Sequence, residues 1–298
     1  MLTLLRYYEP ELGVRWGLCV QESAVYDVTE VCGSLAAWLL STTGDAQHAV
    51  QALAETAQRG TPVCNLGEIA SQPDPARRHF LAPVDSQEVW AAGVTYERSR
   101  AARLEEAQDG GDVYSRVYTA ERPELFFKSY GEKVVGPGAA VGIRRDARWS
   151  VPEPELAVLF NPAMQVVGFS VGNDMSSRDI EGANPLYLPQ AKIYTASCAL
   201  GPHILLTPGA DLPQAAISLH IRQNGQTRFS SQTHTRHIHR KLAELADYLG
   251  RSSHFPAGVF LLTGTGIVPP SEFHLQEGDV ITIEIEGIGV LSNPVQRV

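Results

Sequence analysis

Glu153-Pro154-Glu155 is followed by the apolar run Leu156-Ala157-Val158-Leu159-Phe160, and Asp174 stands nineteen residues past Glu155. In a strand, residues i and i+2 face one side, so both glutamates converge on one point. Pro154 suits a strand start or an edge, because it has no N–H for the ladder. A turn is predicted at Asn161-Pro162, after which residues 166–171 can pair back antiparallel and deliver Asp174 near their end. Three carboxylates repel one another in a shared site unless a cation holds them. An oxygen-only donor set suits a hard ion such as Mg²⁺, Mn²⁺ or Ca²⁺. Spacing alone leaves a second reading open, with Glu153 and Glu155 on a solvated edge and Asp174 capping a turn.

Two other patterns invite chemistry and are set aside. Gly168-Phe169-Ser170-Val171-Gly172 fits the G-x-S-x-G nucleophile elbow, which needs a strand, a sharp turn and then a helix. Here the β-branched run continues through Ser170, and Asn173-Asp174 follow where helix formers are required. In the tract 234–240, His234, His237 and His239 are interleaved with Arg236, and Arg240 follows. Those cations oppose a divalent ion, so a solvated strand-to-helix junction is the expectation. No Walker loop and no dinucleotide fingerprint occurs. Cys19, Cys32, Cys64 and Cys198 are scattered, without C-x-x-C, and are expected to be reduced buried thiols.

The elements that must position these residues are mostly strands. Candidates are residues 88–93, 134–135, 155–160, 166–171, 203–206, 217–222, 259–262 and 280–286, separated by Gly and Pro. One amphipathic helix is predicted over 240–249, ending at Gly250. Two or three helices for this many strands exclude alternating βαβ units and imply an α+β fold: a mixed or antiparallel β-roll with segregated helices. Residues 1–75 read as a small N-terminal α/β unit, with strands at 2–7 and 15–20 and a helix over 46–59. The Gln72-Pro73-Asp74-Pro75 cluster marks its boundary with a catalytic domain, 76–298. Residues 98–112, charged and glycine-containing, are the expected flap.

Composition narrows the partners. The 298 residues carry 24 Lys and Arg against 33 Asp and Glu, a net charge of −9, with no basic run. Such a chain repels phosphate backbones, which argues against a nucleic-acid partner. No apolar stretch approaches the roughly 18 residues needed to cross a bilayer. The first thirteen residues lack a signal-peptide core. A cytoplasmic protein is expected.

With these residues in view, the chain resembles the fumarylacetoacetate hydrolase superfamily. The resemblance rests on Glu153-Pro154-Glu155 and on the loop Asn173-Asp174-Met175-Ser176-Ser177-Arg178-Asp179. Pro123-Glu124-Leu125-Phe126-Phe127-Lys128, Lys192 ahead of Gly201-Pro202, Thr263-Gly264-Thr265-Gly266, and Gly278-Asp279-Val280 through Gly289 follow in the family's order. It implies a β-sandwich-like catalytic domain behind the small N-terminal one, and a homodimer or homotetramer. It implies Glu153, Glu155 and Asp174 as ligands of Mg²⁺ or Mn²⁺, Lys192 as a substrate-contacting residue and Thr265 as a binder of the substrate carboxylate. Phe126 and Arg178, inside the matched stretches, are further substrate-binding candidates.

One departure bears on the chemistry. Hydrolases of this superfamily carry a water-activating histidine in Asn-Tyr-x-x-His. The matching stretch here ends at Ser99, which cannot replace imidazole as a base at neutral pH. Glu284 matches the place of that histidine's glutamate partner, and Glu181 stands where fumarylacetoacetate-cleaving members place glutamine. The 2-keto-3-deoxy-D-arabinonate dehydratase branch is the nearest resemblance. A 2-oxo acid that chelates the ion has an acidified C3 proton and a stabilised enolate. Lys192 is the candidate base or enolate stabiliser, Glu124 the candidate acid or base, and Glu181 the second candidate. Lys128 reads as a structural ion pair. The expected function is dehydration of a 2-keto-3-deoxy sugar acid, giving 2,5-dioxopentanoate from a five-carbon substrate. The alternative is a C–C hydrolase or decarboxylase of acylpyruvate-like acids.

Overall fold

An uninterrupted apolar stretch cannot form an amphipathic strand, and every residue of Pro154–Phe160 is buried. Protein therefore covers both of its faces. Leu156, Val158 and Phe160 enter a core with Ile217, Leu219, Ile221, Ile281, Ile283 and Ile285. Ala157 and Leu159 point the other way, into a core with Leu35, Trp38, Leu39, Val50 and Leu53. Period-two alternation thus builds three layers: an outer sheet, a central sheet and the N-terminal helices. The computed structural model describes residues 1–21, 23–99 and 112–298.

Eighteen strands occur among the described residues. In chain order they are β1 (Leu2–Glu9), β2 (Gly13–Val20), β3 (Ala24–Asp27), β4 (Cys64–Asn65), β5 (His79–Leu81) and β6 (Glu88–Gly93). Next come β7 (Glu124–Tyr130), β8 (Val141–Ile143), β9 (Ser150–Val151), β10 (Pro154–Phe160), β11 (Val166–Asp174) and β12 (Ser176–Ser177). The last are β13 (Cys198–Leu206), β14 (Ala216–Gln223), β15 (Gln226–His234), β16 (Val259–Leu262), β17 (Val280–Ile285) and β18 (Gly289–Arg297). The central sheet runs β4-β3-β2-β1-β13-β11-β10-β16-β6-β7, with β5 paired to β1. The outer sheet runs β15-β14-β17-β18-β8. Both are open, and both mix antiparallel pairs with one parallel pair, β16 beside β6 and β18 beside β8.

The mixed α/β fold agrees with the sequence, with differences that have physical reasons. Residues 134–135 are no strand: after the 3₁₀ turn Gly131–Lys133, Val135 makes only a bridge to Ala199. β15 went unforeseen because its edge sequence, QTRFSSQTH, has little apolar periodicity. Seven α-helices occur among the described residues, against the two or three expected. Those unforeseen, such as Arg178–Ala183 and Leu188–Lys192, are too short to display a full apolar period. Pairing of Leu4 with Ile204 carries the central sheet across residue 75. The expected flap, 98–112, lies almost wholly outside the described residues.

Both set-aside patterns are structural. Beyond His234, residues Thr235–His237 form a 3₁₀ turn, Arg236 donates its backbone N–H to His234 Nδ1 (3.1 Å), and His237 and His239 are exposed. β11 continues as strand through Ser170, where its register against β13 shifts, and the Ser170 hydroxyl donates to the His203 carbonyl at 2.7 Å. Ser170→Ala should therefore cost about 1 kcal/mol of stability and leave turnover intact. Denaturant unfolding and kcat/KM check this. A loss on the order of 10⁴-fold in rate with the fold preserved would instead mark a nucleophile.

Candidate active site

The hairpin of β10 and β11 places Pro154 opposite Asn173 and Glu155 opposite Gly172. Asp174 donates its backbone N–H to the Glu153 carbonyl at 3.0 Å, which locks the open end. One carboxylate oxygen from each of Glu153, Glu155 and Asp174 lies within 4.8 Å of the other two. The three are 5%, 1% and 1% exposed, which removes the solvated-edge reading.

Buried charge must be compensated. Lys192, at the end of the helix Leu188–Lys192, donates to Glu153 Oε2 (2.8 Å), Asp174 Oδ2 (2.9 Å) and Ser176 Oγ (2.6 Å). Its ammonium also lies 5.5 Å from the centre of the Phe126 ring, a cation–π distance. Arg178 Nη2 donates to Glu153 Oε1 at 2.9 Å. Lys128 Nζ lies 2.5 Å from Asp174 Oδ1 and donates to the carbonyls of Met175 (2.9 Å) and Lys192 (2.5 Å). The Gly264 N–H donates to Glu155 Oε2 at 2.6 Å.

β7 supplies the facing wall. Glu124, Phe126 and Lys128 alternate along it, so all three share the face turned to the carboxylates. Gly93 on β6 pairs with Glu124, and a Cβ there would stand 2.0 Å from Glu124 Oε2. Glycine at 93 therefore makes room for that carboxylate. One cavity is lined by Glu124, Phe126, Glu153, Asp174, Arg178, Glu181, Lys192 and Thr265, eight of the nine predicted site residues. Glu155 sits behind them, fully buried.

Electrostatics point to a cation. Burial first, then Asp174 and Glu153, push the Glu155 carboxyl well above its usual range. An oxygen-only, triply acidic, buried cluster fits Mg²⁺ or Mn²⁺, with Glu153, Glu155 and Asp174 as the residues to hold it. Cys198 offers no competing chemistry, since burial pushes its thiol up to about 12.

Glu284 does not belong here. On β17 Ile281, Ile283 and Ile285 face the core, so period two turns Glu284 to solvent in the outer sheet. Ser99 does line the cavity, and its hydroxyl donates to the Thr265 carbonyl. Sequence reasoning missed Ser176 and the Gly264 amide. Ser176 sits inside the Asn-Asp-x-Ser motif and had a signal; a backbone amide has none.

A mixed-sheet scaffold with a buried three-carboxylate centre on a cavity defines a metal-dependent enzyme. The chain belongs to the fumarylacetoacetate hydrolase family: the pattern described as "Fumarylacetoacetate (FAA) hydrolase C-terminal" matches residues 88–296. It is 42% identical over 281 residues to the probable 2-keto-3-deoxyxylonate dehydratase of Haloferax volcanii, covering 93% of this chain and 94% of that one. It is 40% identical over 219 residues to the 2-dehydro-3-deoxy-D-arabinonate dehydratase of Saccharolobus solfataricus, covering 72% and 74%. A solved 2-keto-3-deoxy-D-arabinonate dehydratase, complexed with magnesium and 2,5-dioxopentanoate, superposes with a TM-score of 0.81 at 30% identity over 99% of both chains.

Two outcomes follow from the centre. Glu153→Gln should weaken Mn²⁺ binding by more than about 100-fold and abolish activity, as read by calorimetric titration and assay. Because the Glu155 carboxyl lies high without a cation, metal binding should release protons and weaken as pH falls. Titration in buffers of different ionisation enthalpy reads that release directly, and its absence would contradict the assignment.

Proposed function

We infer that this chain is a divalent-metal-dependent dehydratase, a hydro-lyase acting on 2-keto-3-deoxy sugar acids. The observation that carries this reading is the cavity wall. Lys192 on the carboxylate centre and Glu124 across from it supply two proton-transfer groups. Among the described lining residues there is no histidine to activate water, and the Ser99 hydroxyl is committed to a carbonyl. Whole-length similarity to two dehydratases supports the same reading.

When bound, the metal supplies Lewis acidity, withdrawing electron density from a 2-oxo acid. The chain's residues do the rest. Arg178 and Thr265 hold the substrate carboxylate, and the Phe126 ring covers Lys192 against water. Lys192 serves as base or enolate stabiliser beside C3 and Glu124 as acid or base across from it, so that the C3–H and C4–O bonds break and the proton and hydroxide leave together as one water. Glu181 is the second candidate for proton transfer. The resulting 3,4-ene shifts a C5 proton to C3, and the C4–C5 enol so formed ketonises to the aldehyde of 2,5-dioxopentanoate.

The same reading extends to context. Residues 1–75 act as the small N-terminal unit, and none of them lines the cavity. Exposed Leu186, Tyr187 and Ile193 flank the Lys192 helix and support a homodimer or homotetramer. Four free, buried cysteines support a cytoplasmic setting. Among the described residues no helix is long and apolar enough to cross a membrane.

The test is product analysis. A 2-keto-3-deoxypentonate with Mg²⁺ or Mn²⁺ should yield one product, lighter by one water. Pyruvate plus a two-carbon aldehyde would indicate an aldolase, and cleavage of acylpyruvates would restore the hydrolase; either defeats the reading. Lys192→Met should lower turnover by at least about 10²–10⁴-fold. Borohydride should trap no substrate on Lys192, because a polarised ketone needs no imine.

A further inference from the structure

Just past the end of β6 the backbone takes an unusual course. Val94, β-branched and buried, sits at φ 52°, in the left-handed region that such side chains avoid. The consequence of this turn is the placement of Thr95. Its hydroxyl, wholly buried, donates to the Thr263 carbonyl at 2.7 Å, 168 residues away in sequence. Its own carbonyl is held by the His239 N–H at 2.9 Å. The loop it grips has no slack. Gly264 stands at φ 88°, and a Cβ there would meet Thr95 Oγ1 at 2.0 Å. The next polar contact along that loop is the Gly264 N–H on Glu155 Oε2, at 2.6 Å. Ser99 holds the far side of the same loop through the Thr265 carbonyl.

We propose that Thr95 is a positioning residue for the metal ligand Glu155, acting through Gly264 without touching metal or substrate. The hydroxyl fixes the Thr263 carbonyl, and that fixes the Gly264 amide. The amide takes one oxygen of Glu155 and aims the carboxylate at Glu153 and Asp174. The Gly264 amide is the partner one step removed from the ligand, where loss commonly changes metal affinity about 10- to 100-fold, and Thr95, a step further out, acts at the lower end of that range. The proposal rests on the metal reading of the preceding section.

The test compares Thr95→Val, isosteric but without the hydroxyl, with Thr95→Ser, which keeps it. Mn²⁺ is titrated into each full-length protein by calorimetry, with circular dichroism and thermal melts as controls. Thr95→Val should bind Mn²⁺ about 10-fold more weakly, and Thr95→Ser should bind close to wild type. Should Thr95→Val not fold, Thr95→Ala against Thr95→Ser makes the same comparison. Wild-type affinity in the hydroxyl-free variants, or equal losses in all of them, overturns the proposal. A wild-type chain that binds no Mn²⁺ overturns the metal reading beneath it, and that result is distinguishable from the others.

Discussion

Mutual repulsion among three buried carboxylates is the constraint that the rest of the molecule answers. Glu153, Glu155 and Asp174 stand within 4.8 Å of one another, almost wholly out of water. Left to itself such a cluster would neutralise by taking up protons. The chain opposes this with three cationic side chains brought from three different places. Lys128 comes from β7, Arg178 from the start of the helix after β12, and Lys192 from the end of a helix fourteen residues further on. Each is itself buried, so each is as dependent on the carboxylates as they are on it.

That interdependence explains the fold around the site. The hairpin β10–β11 is clad by protein on both faces, which keeps water from the carboxylates at its open end. The short helices between β12 and β13 exist to return the chain so that Lys192 reaches back to Asp174. Lys128 adds a tie by holding the Lys192 carbonyl, so the position of one lysine constrains the other.

Much of this was legible in the sequence, for definite reasons. Alternation in a strand put Glu153 with Glu155, and a two-residue turn signal implied the antiparallel return that carries Asp174. The family's ordered motifs supplied Lys192, Thr265 and Glu124, and the cavity brings them together. Glu284 misled because motif matching ignored strand parity, which turns it to solvent. Edge strand β15 and the short helices carry too little apolar period to be read. Hydroxyl-to-carbonyl and amide-to-carboxylate contacts across more than a hundred residues, such as Thr95 to Thr263 and Gly264 to Glu155, leave no local pattern.

The ladder that joins Leu4 to Ile204 has a bearing on how the molecule comes apart. β1 is hydrogen-bonded to β13, and β13 to β11, where Cys198 lies opposite Asp174. Fraying of the amino-terminal strands would bare β13 at His203–Leu205, while its Cys198 end, opposite Asp174, keeps the hydrogen bonds of Val135 on its other edge. Melting of the amino-terminal segment therefore runs ahead of opening at the catalytic centre, because different stretches of one strand hold the two.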